Sequence, residues 1–252
     1  AEAKGDSIYQ EFLPAMEKEY AFWMDGADKL KSGQAFRRVV KLKNGDVLNR
    51  YWDDATVPRQ ESWREDVLTA QRSGRDKIDM YEQLRAAAES GLDFSCRWFA
   101  DGKNLVTIRT SDMVPPDLNA LLYHLEWAIS KALLMNKDSS FNDYRKKAIH
   151  RGELIDKYCW NKSENFYTDY DFRSQKQSRN INPGGMYPFC FINEHPDYMS
   201  FLGTKVADVI KAKLLRPGGV VTTQFETGQQ WDAPNGWAPL EWMTIWGLDR
   251  CG

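Results

Sequence analysis

An all-α fold carrying one small β-hairpin is what this sequence predicts, and three observations predict it. Apolar residues recur at helical spacing through successive segments. Long polar, aromatic-rich loops separate those segments, with no βαβ alternation. A single Asn44–Gly45 pair, flanked by residues 38–43 and 46–52, gives the strongest short hairpin signal. Helices in successive pairs suit either a bundle or an α/α toroid.

Taken in order, the first helix is expected over 14–23. Met16, Tyr20 and Trp23 share a face, Pro14 lies near the first helical position, and Asp25–Gly26 marks the end. The hairpin follows and delivers the chain into a polar loop over 53–61. Ser62 then reads as a capping box with Glu65 and opens a helix to about residue 71. Ser73–Gly74 breaks it. The next helix spans 77–90, with Ile78, Tyr81, Leu84 and Ala88 at helical spacing. Gly91 follows at the position where a left-handed backbone is cheap for glycine. Pro115, Pro116 and Asp117 stop an extended piece and start an amphipathic helix striped by Leu118, Leu121, Leu122, Leu125, Ile129 and Leu133. Another helix covers 140–158, with Phe141, Tyr144, Ala148, Ile155 and Tyr158 inward. The aromatic stretch 166–172 reads as a loop or short strand. A helix over 196–214 ends at Arg216–Pro217–Gly218–Gly219, and a loop over 228–237 leads to a last helix from Ala238.

The composition narrows the function classes. Of 252 residues, 42% are hydrophobic and 28% charged, the balance of a globular chain. The net charge of -2 gives no basic field for nucleic acid. No apolar run reaches the ~20 residues a membrane helix needs. The four cysteines form no CxxC pair, so buried free thiols are expected rather than a zinc or redox site. Ten Trp, eleven Tyr and twelve Phe, many beside polar side chains, suit sugars, whose C–H faces stack on rings.

Asp93 is the candidate that carries chemistry. It follows Gly91 on a loop at a helix end, among Leu92, Phe94 and Trp98. Poor solvation there would raise its pKa, which is what a general acid needs. The competing reading is a turn-capping aspartate.

Three loops carry a resemblance. The first contains Asn49, Arg50, Tyr51, Trp52, Asp53 and Asp54, and runs on through Pro58, Arg59, Gln60, Glu61, Ser62 and Trp63. The second is the segment 90–98 around Asp93. The third is Gly228–Gln229–Gln230–Trp231–Asp232–Ala233–Pro234–Asn235–Gly236–Trp237, continuing to Trp242. That last run closely resembles a signature of the trehalase family, which hydrolyses α,α-trehalose to two glucoses. Segments 21–26 and 114–119 are also similar to trehalases, so the resemblance runs nearly end to end. It implies an incomplete (α/α)6 toroid with the small hairpin, residues 1–252 forming one fragment of a catalytic domain. It implies an inverting glycosidase, in which one carboxylic acid protonates the glycosidic oxygen and a second carboxylate activates water, roughly 6.5–9.5 Å away. By resemblance the acid falls on Asp93. Arg59, Gln60 and Glu61 fall on sugar-binding positions of the first loop, Gly91 beside the acid, and Gln230 and Trp231 on the wall of the site. Arg59 offers a fork of donors to hydroxyls and Glu61 accepts from them, although such neighbours also form plain surface ion pairs. Asp232 reads as a turn builder.

The chain departs from the family at Leu92, where Trp is usual, at Gln60, where Pro is common, and at Cys96, where Ser is usual. The family's N-terminal Pro-Gly-Gly signature is expected before Ala1; Pro183–Gly184–Gly185 lacks its aromatic run. The catalytic base is expected beyond Gly252, so the 252 residues alone are expected to be inactive. No metal or cofactor is called for, the partner is a disaccharide, and a monomer is expected. The compartment stays open between periplasm and cytoplasm. So do two other functions: a related toroidal α-glucosidase, and a non-catalytic sugar-binding paralogue.

Overall fold

The computed structural model describes residues 5–192 and 196–251 of the chain. Its frame is helical. The first helix, α1 (Ser7–Trp23), starts seven residues before the expected Pro14, which lies inside it. The reason is burial. Tyr9, Leu13, Met16 and Tyr20 form one stripe packed on Ile129, Ala132 and Leu133, and that contact outweighs the hydrogen bond a proline removes.

Helix α2 (Trp63–Ser73) packs on α3 (Lys77–Glu89). The capping box expected at Ser62 and Glu65 does not form; Ser62 makes no capping hydrogen bond. A 3-10 turn over Gln60–Ser62 leads into α2 instead. There the Arg59 amide donates to Asp66 at 2.9 Å, so a residue within the helix sets its entry. In α3 the Asp76 side chain accepts from the Asp79 amide at 3.0 Å and caps the first turn. Met80, Tyr81, Leu84, Ala86 and Ala87 bury one face against Trp98, Leu118 and Leu122. Ile78, expected on that stripe, is exposed in the first turn of α3.

Helix α4 (Pro116–Met135) is the hub, packing on α5 (Phe141–Cys159), on α1 and on the short α6 (Tyr187–Phe191). Helices on several sides leave it little outer face. Leu121 is the stripe residue left exposed. Helices α7 (Pro196–Val209) and α8 (Ala238–Cys251) pack together, and α8 also packs on α6. The expected helix over 196–214 is α-helical to Val209 and ends in a π-turn over Ile210–Leu214.

The β content exceeds the single expected hairpin. Asn44–Gly45 does turn the chain, with Gly45 at φ 95°. But the hairpin is part of a meander of β1 (Gln34–Phe36), β2 (Val39–Lys41) and β3 (Val47–Asn49), pairing Val40 with Leu48. A second sheet orders β4 (Met113–Val114), β7 (Tyr170–Asp171) and β8 (Lys176–Gln177). Two further pairs are β5 (Trp160–Asn161) with β6 (Phe166–Tyr167), and β9 (Leu215–Arg216) with β10 (Gly219–Val220). These strands have two or three residues, too few for an alternation to register in sequence. The Pro183–Gly184–Gly185 run belongs to packing. A Cβ on Gly185 would lie 2.3 Å from both the Phe166 ring and the Tyr167 carbonyl.

Candidate functional site

The first loop, 49–62, is held by α3. The Trp52 amide donates to Glu89, and Arg38 grips the same carboxylate at 2.6–2.7 Å. Burial lifts Glu89 above the usual carboxyl range, with the Trp52 amide and Arg38 pulling the other way. Arg85 holds Asp53 through two bonds of 2.9 and 3.1 Å. The loop is thereby fixed as it reaches Arg59.

Arg59 is buried, and Asp66 of α2 holds it. The Arg59 Nε and Nη2 donate to the two Asp66 oxygens at 3.0 and 2.8 Å. Burial alone would weaken the hold of the guanidinium on its proton, but Asp66, Asp93 and Glu61 outweigh it and raise Arg59 above the ordinary arginine. Its remaining nitrogen, Nη1, stands 3.2 Å from Asp93 Oδ2 and 4.0 Å from Glu61 Oε1. The guanidinium carbon lies 4.6 Å from the centre of the Phe94 ring. Arg59 and Glu61 are therefore not an isolated surface pair; the buried Asp66 is the principal partner.

The second loop leaves α3 through Gly91, at φ 74°. Ser90 Oγ donates to the Ala87 carbonyl and accepts from the Leu92 amide. The Trp98 indole donates to the Leu92 carbonyl at 3.2 Å. Leu92 and Phe94 pack on the Trp98 cluster, so Asp93 has an apolar floor. The enclosure expected from its neighbours is one-sided. The Asp93 side chain remains 37% exposed, and a cation faces it.

The third loop is clasped to the second by Asp232, which is fully buried. Its carboxylate accepts from Ser95 Oγ at 2.8 Å, from the Cys96 amide at 2.9 Å, and from Thr223 and Thr227 hydroxyls. Asp232 is structural, as expected, and its carbonyl does accept from the Asn235 amide in a turn. Its carboxylate, however, joins segments 136–137 positions apart. Beside it the Trp231 amide donates to the Phe94 carbonyl at 3.0 Å. The Trp231 ring stacks on Trp237 at 4.5 Å between centroids, 22° from parallel. The Gln230 carbonyl accepts from the Trp237 indole.

Arg59, Glu61, Asp93 and Trp231 thus come together from three loops. Gln60, Gly91 and Gln230 are exposed on the same loops. The convergence, rather than a closed cavity, defines the site. A cavity of about 380 Å³, lined by Arg97, Phe99, Arg109, Asn180 and Phe225 among others, does not take in Asp93 or Arg59. Such a shelf offers a carboxyl group, a fixed donor, a second acceptor and a flat ring. That set suits a polyhydroxy ligand undergoing proton transfer.

Two residues the sequence does not single out hold this arrangement. Asp66 shares the buried face of α2 with Ala70, and a carboxylate on an inward face is the signal that could reveal it. Arg97 is wholly buried and joins the second loop to Asp117 of α4 and to Asp169 through four bonds of 2.6–3.1 Å. Burial lifts Asp169 above the ordinary carboxyl range even with Arg97 attached.

A family model described as trehalase matches residues 1–252. A periplasmic trehalase of Xanthomonas campestris pv. campestris (strain B100) is 46% identical over 253 aligned residues, taking in all of this chain and 44% of that protein. One from Escherichia coli (strain SMS-3-5 / SECEC) is 43% identical over 254, again with 44% of its length covered. The chain therefore spans less than half the length of these curated relatives. Among solved structures, the neutral trehalase of Saccharomyces cerevisiae matches 95% of this chain and 46% of its own, with a TM-score of 0.68 at 22% identity. A GH63 mannosylglycerate hydrolase from Thermus thermophilus matches 98% of this chain and 57% of its own, with a TM-score of 0.58 at 13% identity. At those identities the likeness is one of fold.

Proposed function

This chain belongs to the trehalase family, and on that premise we propose that it supplies the general-acid half of an inverting hydrolysis of α,α-trehalose to two glucoses. The observation that carries the reading is the meeting of Arg59 and Asp93 at 3.2 Å, with Trp231 hydrogen-bonded to the residue beside the acid. Residues 1–252 form part of one catalytic domain, a stretch of an (α/α)6 toroid whose mouth carries the three loops. The enzyme acts as a monomer.

In the reaction the protonated Asp93 gives its proton to the glycosidic oxygen as the bond from anomeric carbon to oxygen breaks. Water attacks that carbon from the opposite face and loses its proton to a second carboxylate. One glucose leaves with its original configuration and the other inverted. Arg59 and Glu61 grip hydroxyls, Gln60, Gly91 and Gln230 complete the rim, and Trp231 stacks on a pyranose face. Leu92, half-buried on the Trp98 cluster, keeps water off one side of Asp93 without stacking.

The test is trehalose turnover by the full-length gene product, followed by proton NMR of the fresh hydrolysate. β-glucose appearing with the first α-glucose is the expected result. Early α-anomer alone would mean retention. Preferred cleavage of another α-linked disaccharide would mark a related α-glucosidase, and binding without turnover a sugar-binding paralogue. Asp93→Asn should lower kcat by about 10²–10⁴-fold with the melting temperature little changed. Turnover near wild type would remove Asp93 from the mechanism.

A further inference from the structure

Arg59 is the donor that faces Asp93, and what aims it is unusual. Arginine has five N–H donors in a rigid plane. Asp66 takes Nε and Nη2 at 3.0 and 2.8 Å and, with one of the same oxygens, the Arg59 backbone amide at 2.9 Å. One carboxylate therefore ties both ends of this arginine. It projects from α2, is 2% exposed, and has the rigidity of a helix behind it. Phe94 closes one face of the guanidinium. The donor left to turn outward is Nη1, toward Asp93 and Glu61.

The clamp also sets charge. Asp66 offsets most closely the Arg59 cation that faces Asp93. Glu61 on the first loop also stands 4.0 Å from this cation, whereas Arg97 is turned inward to Asp117 and Asp169, and Asp232 to Ser95 and Cys96. None of them replaces Asp66 against Arg59.

We propose that Asp66 is a positioning residue for the reaction: it aims Nη1 of Arg59 at Asp93 and the sugar. This rests on the reading of Asp93 as general acid.

The test uses Asp66→Asn and Asp66→Glu in the full-length gene product, with Asp93→Asn alongside. Asp66→Asn keeps the volume but loses the charge and half of the fork. Trehalose KM should rise about 10-fold. KM should rise by more than kcat falls, because Nη1 loses its aim while Asp93 keeps its place on the second loop. Asp66→Glu restores the charge on a longer arm. On that arm the fork is displaced, so KM should stay raised. A lowered melting temperature with KM unchanged would make Asp66 purely structural and overturn the proposal. Where Asp66→Asn does not fold, Asp66→Glu carries the test, and wild-type KM there overturns it equally. If Asp93→Asn keeps its turnover, the acid assignment has failed. A raised KM in the Asp66 variants would then still report the aiming of Arg59.

Discussion

Two buried arginines meet the segment around Asp93, one from within it and one from outside. Arg97 has a side chain 0% exposed and gives Nε, Nη1 and Nη2 to Asp117 and Asp169. Arg59 has a side chain 6% exposed and gives Nε and Nη2 to Asp66 alone. Its last nitrogen points at a carboxylate open to solvent. Desolvating a guanidinium is costly, and in both cases a fork of charge-assisted bonds offsets it. The difference lies in what remains. Arg97 has every nitrogen committed to the fold, so it fastens loop to helix and can grip nothing else. Arg59, on a rigid mount, gives its last nitrogen to a carboxylate that is partly open to solvent. Under the proposed function, a sugar hydroxyl would enter at that solvent-facing corner.

Removing each arginine separates the two roles. Arg97→Gln should have the larger effect, and it should fall on folding. Two buried carboxylates would lose their cation, at a cost of about 3–5 kcal/mol in denaturant unfolding. A loss under about 1 kcal/mol would mean that water or another group reaches Asp117 and Asp169, and the contrast would weaken. Arg59→Lys should act on binding. The lysine still pairs with Asp66, so stability should fall less than for Arg97→Gln. The planar fork is lost, and trehalose KM in the full-length gene product should rise about 10-fold with kcat changed less. Unchanged KM would make Arg59 a second structural arginine and dissolve the distinction.

The two arginines also mark how far the sequence is legible. Features set within a few residues read well. Gly45 turns the hairpin, Gly91 follows α3 in the left-handed region, and α8 begins at Ala238. Those are local backbone requirements, and residue type records them. The start of α1 misled, because the stripe around Leu13 owes its burial to α4, over a hundred positions away. Arg97 to Asp169 spans 72 positions, and Asp232 to Ser95 spans 137. Nothing in the spacing of such residues says that they meet. The three loops could be grouped in advance through their likeness to a family, but the clamp behind Arg59 and the clasp at Asp232 emerge only from the folded geometry. Asp66 lay between the two cases. It is seven positions from Arg59, and its place beside Ala70 on the inward face of α2 was the available signal.

A third ion pair, at the surface, gives the comparison its lower bound. Asp46, in the hairpin turn, accepts bonds of 2.7 Å each from Lys157, Tyr158 and Asn44. Its slight burial works to raise its pKa, but those hydrogen bonds outweigh it and hold the carboxyl at about 2. A depressed carboxyl contributes stability that is present above the unfolded value, near 3.9, and is lost as pH falls through the folded one. Exposure and counterions shrink the contribution, so Asp46→Asn should lower the melting temperature by only about 1–2 °C at pH 7. That gap should narrow from about pH 4, be mostly lost by pH 2 and close only below it, once the wild-type carboxyl is protonated and resembles the variant. A gap that persisted unchanged to pH 2 would show that the hairpin is fastened to α5 by neutral hydrogen bonds. Charge would then matter only where, as at Arg59 and Arg97, water is kept away.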